Sequence, residues 1–442
     1  MTGTEIAARA VARCRPAAGR RWREVGLVVT LLTGTPAVAP LAAQSAPAAS
    51  RRTVVVSPAG PHRTVRAGIV AARPGDRVLV RAGLYREPMI VVDKPLEIVG
   101  EGWPVLDGEH ERQIMSVGAD DVTVRGLLFR DVGVAMTEDR AALKLTGVSR
   151  CLVEGNRFEN AFFGVYLAKV EQCRVAGNQF RGTRSSEASS GNGIHLWSSS
   201  GVLIEQNRIA GHRDGIYLEF TSGTEVRRNT SEGNLRYGLH FMYSDDCRYE
   251  ANVFRANLAG VAVMYTKRVE MIGNRFEDNW GSASYGLLLK EIQDPKILRN
   301  TFARNTVGLL VDGASNIVAA ENDFVGNGWA IKLMSSTFGG RFERNDFLSN
   351  TFDVATNARQ SDNAFLGNYF DGYQGYDLDR DGVGDVPHRP VRLFSVIVER
   401  NPPALILLRS FFVGLLETAE RVIPALTPES LVDSRPAMRR TT

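Results

Sequence analysis

Short apolar stretches with two-residue alternation recur through the middle of the chain, and each opens on a glycine. The stretches are GVYLA, GIHLW, GIYLE, GLHFM, GVAVM, GLLLK and GLLVD, and no helical spacing of apolar residues runs between them. Alternation with a period of two is typical of β-strands that bury one face. The sequence therefore predicts many short strands separated by turns that contain glycine.

An asparagine repeat indicates how these strands are arranged. Its members recur at intervals close to 22 residues, and they are Asn156, Asn178, Asn207, Asn229, Asn252, Asn274, Asn300, Asn322, Asn345 and Asn368. A period between about 20 and 50 residues predicts a solenoid, and the leucine-rich pattern is missing. Three short strands per period favour an all-β, right-handed parallel β-helix. The asparagines are expected to stack at a turn in hydrogen-bonded ladders, with their backbone in the left-handed region.

The predicted organisation has three parts. Residues 1–46 contain several arginines followed by an apolar run and small residues, which is typical of an export signal. A retained anchor helix is the alternative. Residues 53–375 hold the β-helix, which opens on an amphipathic N-terminal cap that shields the first coil. Residues 376–442 hold an acidic loop and a short apolar helical segment.

Charge and cysteine content argue against a nucleic-acid-binding protein and against a disulfide-rich protein. The formal net charge is +4, but six arginines and two glutamates lie in residues 1–46, so the remainder is neutral. A neutral chain gives no reason to expect nucleic acid as a partner. Cys151, Cys173 and Cys247 each precede a repeat asparagine by five residues, at an inward position. They are expected to be buried thiols rather than a disulfide framework or a metal site.

The same alternation places an unusual set of side chains on the outer face of the strands. Imidazole and thioether groups fall there on neighbouring coils, which a β-helix spaces by about 4.8 Å. These groups suit Cu(I) in an exported protein, where free thiols are prone to oxidation. The candidate copper ligands are His195, His240, Met242 and Met264. The flanking candidate partner contacts are Trp197, Tyr217 and Glu219.

Two long turns, residues 181–192 and 280–284, bracket this outer patch, and long turns of solenoids usually line the functional face. Two alternatives to copper remain open: a saccharide groove in which Tyr and Trp stack on sugar rings, and a protein-binding patch of surface methionines. Glu219 is the only carboxylate of the patch, so no glycosidase pair is visible, and no evident base for a lyase or epimerase is present. These absences argue against polysaccharide cleavage, but a carbohydrate-binding or polysaccharide-cleaving β-helix protein stays open as the alternative.

The last part of the sequence carries two further candidate sites. A D-x-D-x-D-G-x-x-D loop resembles the calcium loop of EF-hand sites, although His388 stands where the bidentate glutamate would be. Its candidate calcium ligands are Asp377, Asp379, Asp381 and Asp385, and an ordinary acidic turn is the alternative. The apolar segment 402–426 is expected either to cap the solenoid or to dock on a membrane partner. Its candidate contacts are Leu405, Phe411, Phe412 and Leu415.

Taken together, these motifs resemble the NosD family of periplasmic accessory proteins. The stretches that carry the resemblance are GNGIHLWSSS, RDGIYLEFTSG, RYGLHFMYSDDC, GVAVMYTKRV and YDLDRDGVGDVPHRP. The likeness covers nearly all of the chain after the export segment. Many carbohydrate-active proteins share the repeats, so the repeats alone do not identify the family. The strands that contain His and Met and the acidic stretch YDLDRDGVGDVPHRP make the resemblance specific.

The resemblance, rather than any spacing, implies the partners. It implies that the chain is not an enzyme but a periplasmic protein, attached to the inner membrane through an ABC transporter, that receives or relays Cu(I). The implied partners are the transporter permease, its ATPase, a lipoprotein copper chaperone and nitrous oxide reductase, whose copper centres this machinery helps to assemble. The C-terminal apolar segment is then the expected dock on the permease.

Overall fold

The computed structural model describes residues 51–135, 137–184, 186–423, 426 and 431–440, and the predicted export segment lies outside them. Within the described residues the strands wind into a parallel β-solenoid, which confirms the predicted fold class. Residues from Ser50 onward form a compact unit of their own. The first strand begins at Thr53 and the last ends at Phe370.

The described strands form three parallel sheets with 14, 12 and 13 members. The first sheet contains Thr53–Val56, Arg77–Arg81, Glu97–Glu101, Thr123–Arg125, Leu152–Glu154, Arg174–Ala176, Leu203–Glu205, Glu225–Arg227, Arg248–Glu250, Glu270–Ile272, Lys296–Leu298, Val318–Ala320, Arg341–Glu343 and Ala364–Leu366. The second contains Ile90–Val92, Met115–Val117, Ala141–Thr146, Phe163–Ala168, Ile194–Trp197, Ile216–Glu219, Tyr237–Met242, Ala259–Lys267, Leu287–Gln293, Val307–Asp312, Trp329–Leu333 and Phe352–Thr356. The third contains Leu84–Tyr85, Val105–Asp107, Leu128–Arg130, Arg157–Glu159, Gln179–Arg181, Arg208–Ala210, Thr230–Glu232, Val253–Arg255, Arg275–Glu277, Thr301–Ala303, Asp323–Val325, Asp346–Leu348 and Tyr369–Phe370.

The core is a stack of equivalent side chains, because parallel strands in register place like on like. On the third sheet, phenylalanine rings stack at centroid distances of 4.6 to 5.7 Å. The stack is interrupted at Ile209 and Ser231, which occupy the same register position. The three predicted inward thiols, Cys151, Cys173 and Cys247, are buried and free, as expected.

The predicted asparagine ladder is present. Each repeat asparagine donates its side-chain amide to the carboxamide oxygen of the next, as in Asn252 to Asn274 at 3.0 Å. The expected left-handed conformation of these asparagines is wrong, because the residue before each one adopts it instead. Gly155 (φ 59°), Gln206 (φ 56°) and Arg228 (φ 54°) are examples. The turn therefore ends at the asparagine, whose side chain is free to point inward.

A second ladder runs five residues after the first. Its members are Asn234, Asn257, Asn279, Asn305, Asn327 and Asn350. The backbone N–H of His212 donates to the Asn234 oxygen at 3.1 Å, so His212 occupies the position that begins this ladder. The spacing of five residues was readable in the sequence but was not used in the prediction.

Both ends of the solenoid are covered. The predicted N-terminal cap contains helix α1, Val65–Ala71, which buries Val65 and Ile69. At the other end lie helix α2 (Leu393–Arg400), a 3₁₀ helix (Pro402–Leu407) and helix α3 (Phe411–Val422). The chain then returns to the solenoid, and the Asp433 carboxylate accepts the backbone and side-chain amides of Asn368 at 2.9 and 2.8 Å. A carboxylate suits the end of the ladder because it accepts hydrogen bonds and donates none.

Candidate functional site

The outer face of the second sheet carries the predicted patch in the predicted register. Tyr217 pairs with His195 on one side and with His240 on the other, and Met242 pairs with Met264. Trp197 and Glu219 continue the column of Met242 on the preceding coils. Strand pairing therefore brings these side chains onto one face. The interactions of each side chain then decide which of them can act together.

His195 is packed among aromatic rings. Its imidazole stacks on Tyr166 at a centroid distance of 4.6 Å and meets Phe163 and Tyr217 edge-on at 5.3 and 4.8 Å. The side chain of Asn192 bonds His195 Nδ1 at 3.1 Å, whereas His195 Nε2 has no hydrogen-bond partner among the described residues. The Tyr217 ring lies between His195 and His240.

His240 is buried beside a charged network. Its ring lies 4.8 Å from Tyr217 and 4.7 Å from Tyr237, and neither ring nitrogen has a hydrogen-bond partner among the described residues. His240 Nδ1 lies 3.8 Å from an oxygen of Asp214, whose side chain is 0% exposed. Arg236 holds the same carboxylate through two bonds of 3.1 and 3.0 Å. Asp214 therefore faces the Nδ1 side of the ring and leaves Nε2 for another ligand.

The two methionines lie side by side. Met242 and Met264 are strand partners on adjacent coils, and both thioethers are half-buried. The Tyr217 hydroxyl donates to the Met242 sulfur at 3.5 Å. Strand pairing therefore places His240, Met242 and Met264 on one face of two adjacent coils, and the Tyr217 ring lies between His240 and His195.

Burial sets the protonation states around this patch. Burial, and then the positive charge of Arg213, lower the pKa of His195 to about 3. Burial alone would raise the pKa of Asp214, but His240 and the guanidinium of Arg236 lower it below its usual value. Burial and the Glu219 carboxylate raise the pKa of Tyr217 to about 12. At neutral pH the patch therefore holds a neutral His195, an ionised Asp214 and a protonated Tyr217.

Three stacked aromatic residues border the methionines, and the sequence analysis did not single them out. Phe220, Tyr243 and Tyr265 stack at 5.1 and 5.2 Å and are exposed. All three have positive φ, which is uncommon for bulky residues. Both faces of the central ring, Tyr243, are therefore covered by its neighbours. The signal was an aromatic residue directly after Met242 and Met264.

The two long turns border this face, as expected. The first carries Asn192, which bonds His195. The second turn is followed directly by Tyr285, whose hydroxyl donates to the Tyr237 hydroxyl at 3.5 Å. Beyond it, a cavity of about 390 Å³ lies between this turn and the C-terminal helices, with Leu310 and Trp329 in its wall.

The acidic loop forms a compact cluster. Carboxylate oxygens of Asp377, Asp379 and Asp381 lie within 4.8 Å of one another. Among the described residues, this is the only group of three or more His, Cys, Asp or Glu side chains whose ligand atoms lie that close together. Backbone amides of the loop already bond these oxygens, as from Gly382 to Asp377 at 2.9 Å. Asp385 accepts from the backbone N–H of Leu378 at 2.7 Å instead. Calcium binding here stays a prediction.

The C-terminal segment packs on the solenoid with one side only. Phe394, Val398 and Val413 are buried in a cluster with Phe352 of the second sheet. Leu405 packs partly against this cluster, whereas Phe411, Phe412 and Leu415 are exposed. Of the described helices, none has the length and apolar character needed to cross a bilayer.

Solved structures with a similar fold are β-helix proteins of distant sequence. The family 28 exopolygalacturonase of Yersinia enterocolitica superposes with a TM-score of 0.52 at 12% identity, covering 74% of this chain and 79% of that chain. The catalytic domain of a GH87 α-1,3-glucanase gives a TM-score of 0.54 at 14% identity, covering 72% and 68%. At such identities the likeness shows the fold alone.

Comparisons of sequence are more specific. A family model described as NosD, periplasmic copper-binding protein, matches residues 181–375, which contain the His/Met patch. The "Probable ABC transporter binding protein NosD" of Pseudomonas aeruginosa is 28% identical over 84% of this chain and 90% of its own length. The protein of the same name from Stutzerimonas stutzeri is 26% identical over 81% and 86%. These relatives are named as binding proteins, and the matches confirm the resemblance of this chain to the NosD family.

Proposed function

We propose that this chain is an exported periplasmic accessory protein that receives Cu(I) on the outer face of its second sheet and relays it for maturation of nitrous oxide reductase. The relatives' names, which mention an ABC transporter, and the copper-binding description of the matching family support this role. The copper ion is cargo here, and the chain carries out no reaction on it. The proposed partners are the permease and ATPase of that transporter, a lipoprotein copper chaperone and the reductase.

One observation carries the proposal. A buried imidazole without hydrogen-bond partners among the described residues, His240, lies on the same face as two neighbouring thioethers, Met242 and Met264. An unpaired buried imidazole is costly, because it has lost its water and gained no partner. Thioether and imidazole are ligands that select Cu(I) over harder ions. This trio is therefore the proposed cargo site, and His195 is proposed to support it through Tyr217.

Asp214 is the proposed orienting group of the site. Metal-binding histidines usually turn the second ring nitrogen toward a carboxylate or carbonyl, which fixes the tautomer. Asp214 lies on the Nδ1 side of His240 at 3.8 Å. When that nitrogen carries the proton, Nε2 presents its lone pair to the ion. The thioethers of Met242 and Met264 bind the Cu(I) ion only weakly, which allows its transfer to a partner.

The test is an anaerobic Cu(I) titration against a chromogenic chelator, with residues 47–442. We expect one tightly bound Cu(I), and we expect Met242→Ala/Met264→Ala to weaken its binding by at least about tenfold, which corresponds to ~1.4 kcal/mol. Met334→Ala is the matched control, because Met334 is also half-buried but directly follows the strand Trp329–Leu333, three coils beyond the strand that carries Met264.

Two outcomes would contradict the proposal. If the unaltered chain binds no Cu(I), it has no self-contained copper site, and capture must occur in a complex with the chaperone. If Met334→Ala weakens binding as much as the double substitution, the site lies elsewhere.

A further inference from the structure

Helix α3 differs from an ordinary surface helix, because its carboxylates bond residues at the start of helix α2, whereas its largest apolar side chains are exposed. Glu417 accepts from Arg392 at 3.4 Å, and Glu420 accepts from the backbone N–H of Leu393 at 2.7 Å. Positions spaced by four and seven residues share one face of a helix. On the opposite, exposed face lie Phe411, Leu415 and Val422.

This outward face is strongly exposed. Ile406, Phe411 and Val422 are 90%, 87% and 74% exposed, although Val413 of the same helix is buried against the solenoid. The helix thus already has an inner apolar side that holds it in place. Contiguous exposed apolar side chains of this size mark a surface that another molecule covers.

The charges of this segment point to the nature of that molecule. Glu399 pairs with Lys332 at 2.8 Å, so this carboxylate, like Glu417 and Glu420 of α3, already has a partner within the protein. Arg400 and Arg409 are exposed, and neither has an ion pair or hydrogen bond to a carboxylate within the described part of the chain. Outward-facing apolar side chains flanked by unpaired arginines match a lipid surface with anionic headgroups.

We propose that these residues form a membrane-binding face that rests in the headgroup layer of an anionic bilayer. The face consists of Arg400, Ile406, Arg409, Phe411, Leu415 and Val422. Helix α3 has 12 residues and so measures roughly 18 Å, which is shorter than the roughly 30 Å of the hydrocarbon core. It therefore lies on the bilayer rather than crossing it. A contact with the transporter permease alone is the competing occupant.

The experiment is co-sedimentation of residues 47–442 with vesicles, since the apolar segment 1–46 would bind lipid by itself. Vesicles of phosphatidylethanolamine and phosphatidylglycerol are compared with vesicles of phosphatidylcholine alone. We expect binding to the anionic vesicles that weakens with salt. Phe411→Ser/Leu415→Ser should reduce that binding at least tenfold, and Arg400→Gln/Arg409→Gln should remove its dependence on anionic lipid. Leu378→Ser is the matched control, because Leu378 is equally exposed but lies in the acidic loop.

Two results would overturn the proposal. One is binding of the unaltered chain to anionic vesicles no greater than to phosphatidylcholine. The other is loss of binding to the detergent-solubilised permease in Phe411→Ser/Leu415→Ser without any change in vesicle binding. Circular dichroism melts confirm that each variant is folded. Cu(I) titration of the same variants keeps the two proposals separate, since a failed copper site leaves vesicle binding unchanged.

Discussion

The asparagine ladder and the outer His/Met patch arise from the same in-register stacking, but their polar groups are satisfied in opposite ways. In the ladder, Asn274 donates to Asn300 and to the carbonyl of Tyr249, and it accepts two bonds from Asn252. In the patch, His240 is also buried, yet neither ring nitrogen is bonded within the described chain. The same stacking therefore satisfies the buried polar groups of the ladder but leaves the imidazole of His240 without a partner among the described residues.

The interior next to the patch also differs from the rest of the solenoid. The phenylalanine stack gives way to Ile209 and Ser231 on two coils, and the strands Ile216–Glu219 and Tyr237–Met242 of the patch follow these residues. Ser231 donates its hydroxyl to the carbonyl of Gly238 at 2.8 Å, inside the strand that carries His240. The bond from Ser231 to Gly238 thus links the core to the strand that carries the patch. Most other coils have stacked phenylalanine rings at the register position of Ser231.

The largest expected effect comes from breaking the ladder at its middle. Asn274→Ala removes a side chain that makes four hydrogen bonds of about 3.0 Å and leaves buried donors and acceptors unpaired. At about 1–3 kcal/mol for each buried unsatisfied group, we expect the free energy of unfolding to fall by at least ~3 kcal/mol. Urea unfolding followed by circular dichroism measures this change.

The matched control is Asn357→Ala, because the exposed Asn357 accepts a single bond from the backbone of Ser335. Its expected cost is below ~1 kcal/mol. Equal losses in the two variants would show that the ladder contributes no more than an exposed asparagine.

A second expected effect concerns His212 at the start of the second ladder. Burial lowers the pKa of His212 to about 4, whereas an unfolded histidine titrates near about 6.5. Between these values the unfolded chain binds a proton that the folded chain does not. The free energy of unfolding therefore falls as the pH drops from about 6.5 to about 4, and it is insensitive to this group above that window.

His212→Asn tests this directly, since asparagine is the residue that this register position carries on the following coils. At pH 5 we expect the loss of stability relative to pH 7.5 to shrink by ~2 kcal/mol in the variant. Thermal melts at both pH values provide the measurement. An unchanged pH dependence would mean that His212 is not kept neutral by the fold.

The smallest expected effect sharpens the comparison at the patch. Asp214→Asn removes the carboxylate that faces His240 Nδ1 and should weaken Cu(I) binding by about tenfold, as loss of an orienting partner typically does. A double-mutant cycle separates this role from general damage to the fold. In a His240→Ala background, Asp214→Asn should cause no further loss of affinity. Additive losses would argue that Asp214 acts on stability alone.

Much of the architecture was predictable because a solenoid repeats one local pattern. The period of the asparagines and the glycine-led alternation correctly predicted the parallel coils. The same two patterns correctly aligned His240 with Tyr217 and Met242 with Met264. The prediction that the asparagines adopt the left-handed conformation was wrong, because the preceding residue completes the turn.

Other features depended on contacts that no local pattern encodes. Asp214 lies in a stretch that reads as an ordinary turn, and only the adjacent coil supplies Arg236 to hold it. Asp433 joins the ladder from a tail that is 65 residues away from Asn368 in the chain. The position of the Tyr217 ring between His195 and His240 depends on side-chain packing, which alternation does not specify.

The sequence by itself determined the repeat, the sheet that carries the patch and the set of side chains on the outer face of that sheet. It could do so because strand periodicity and register are local properties that recur on every coil. Only the tertiary structure decided how each of these side chains is packed, which carboxylate lies beside His240 and which apolar side chains of helix α3 are exposed. Those outcomes follow from burial and from partners that are distant in the chain. The free energy of a buried polar group depends on the neighbours that surround it in three dimensions.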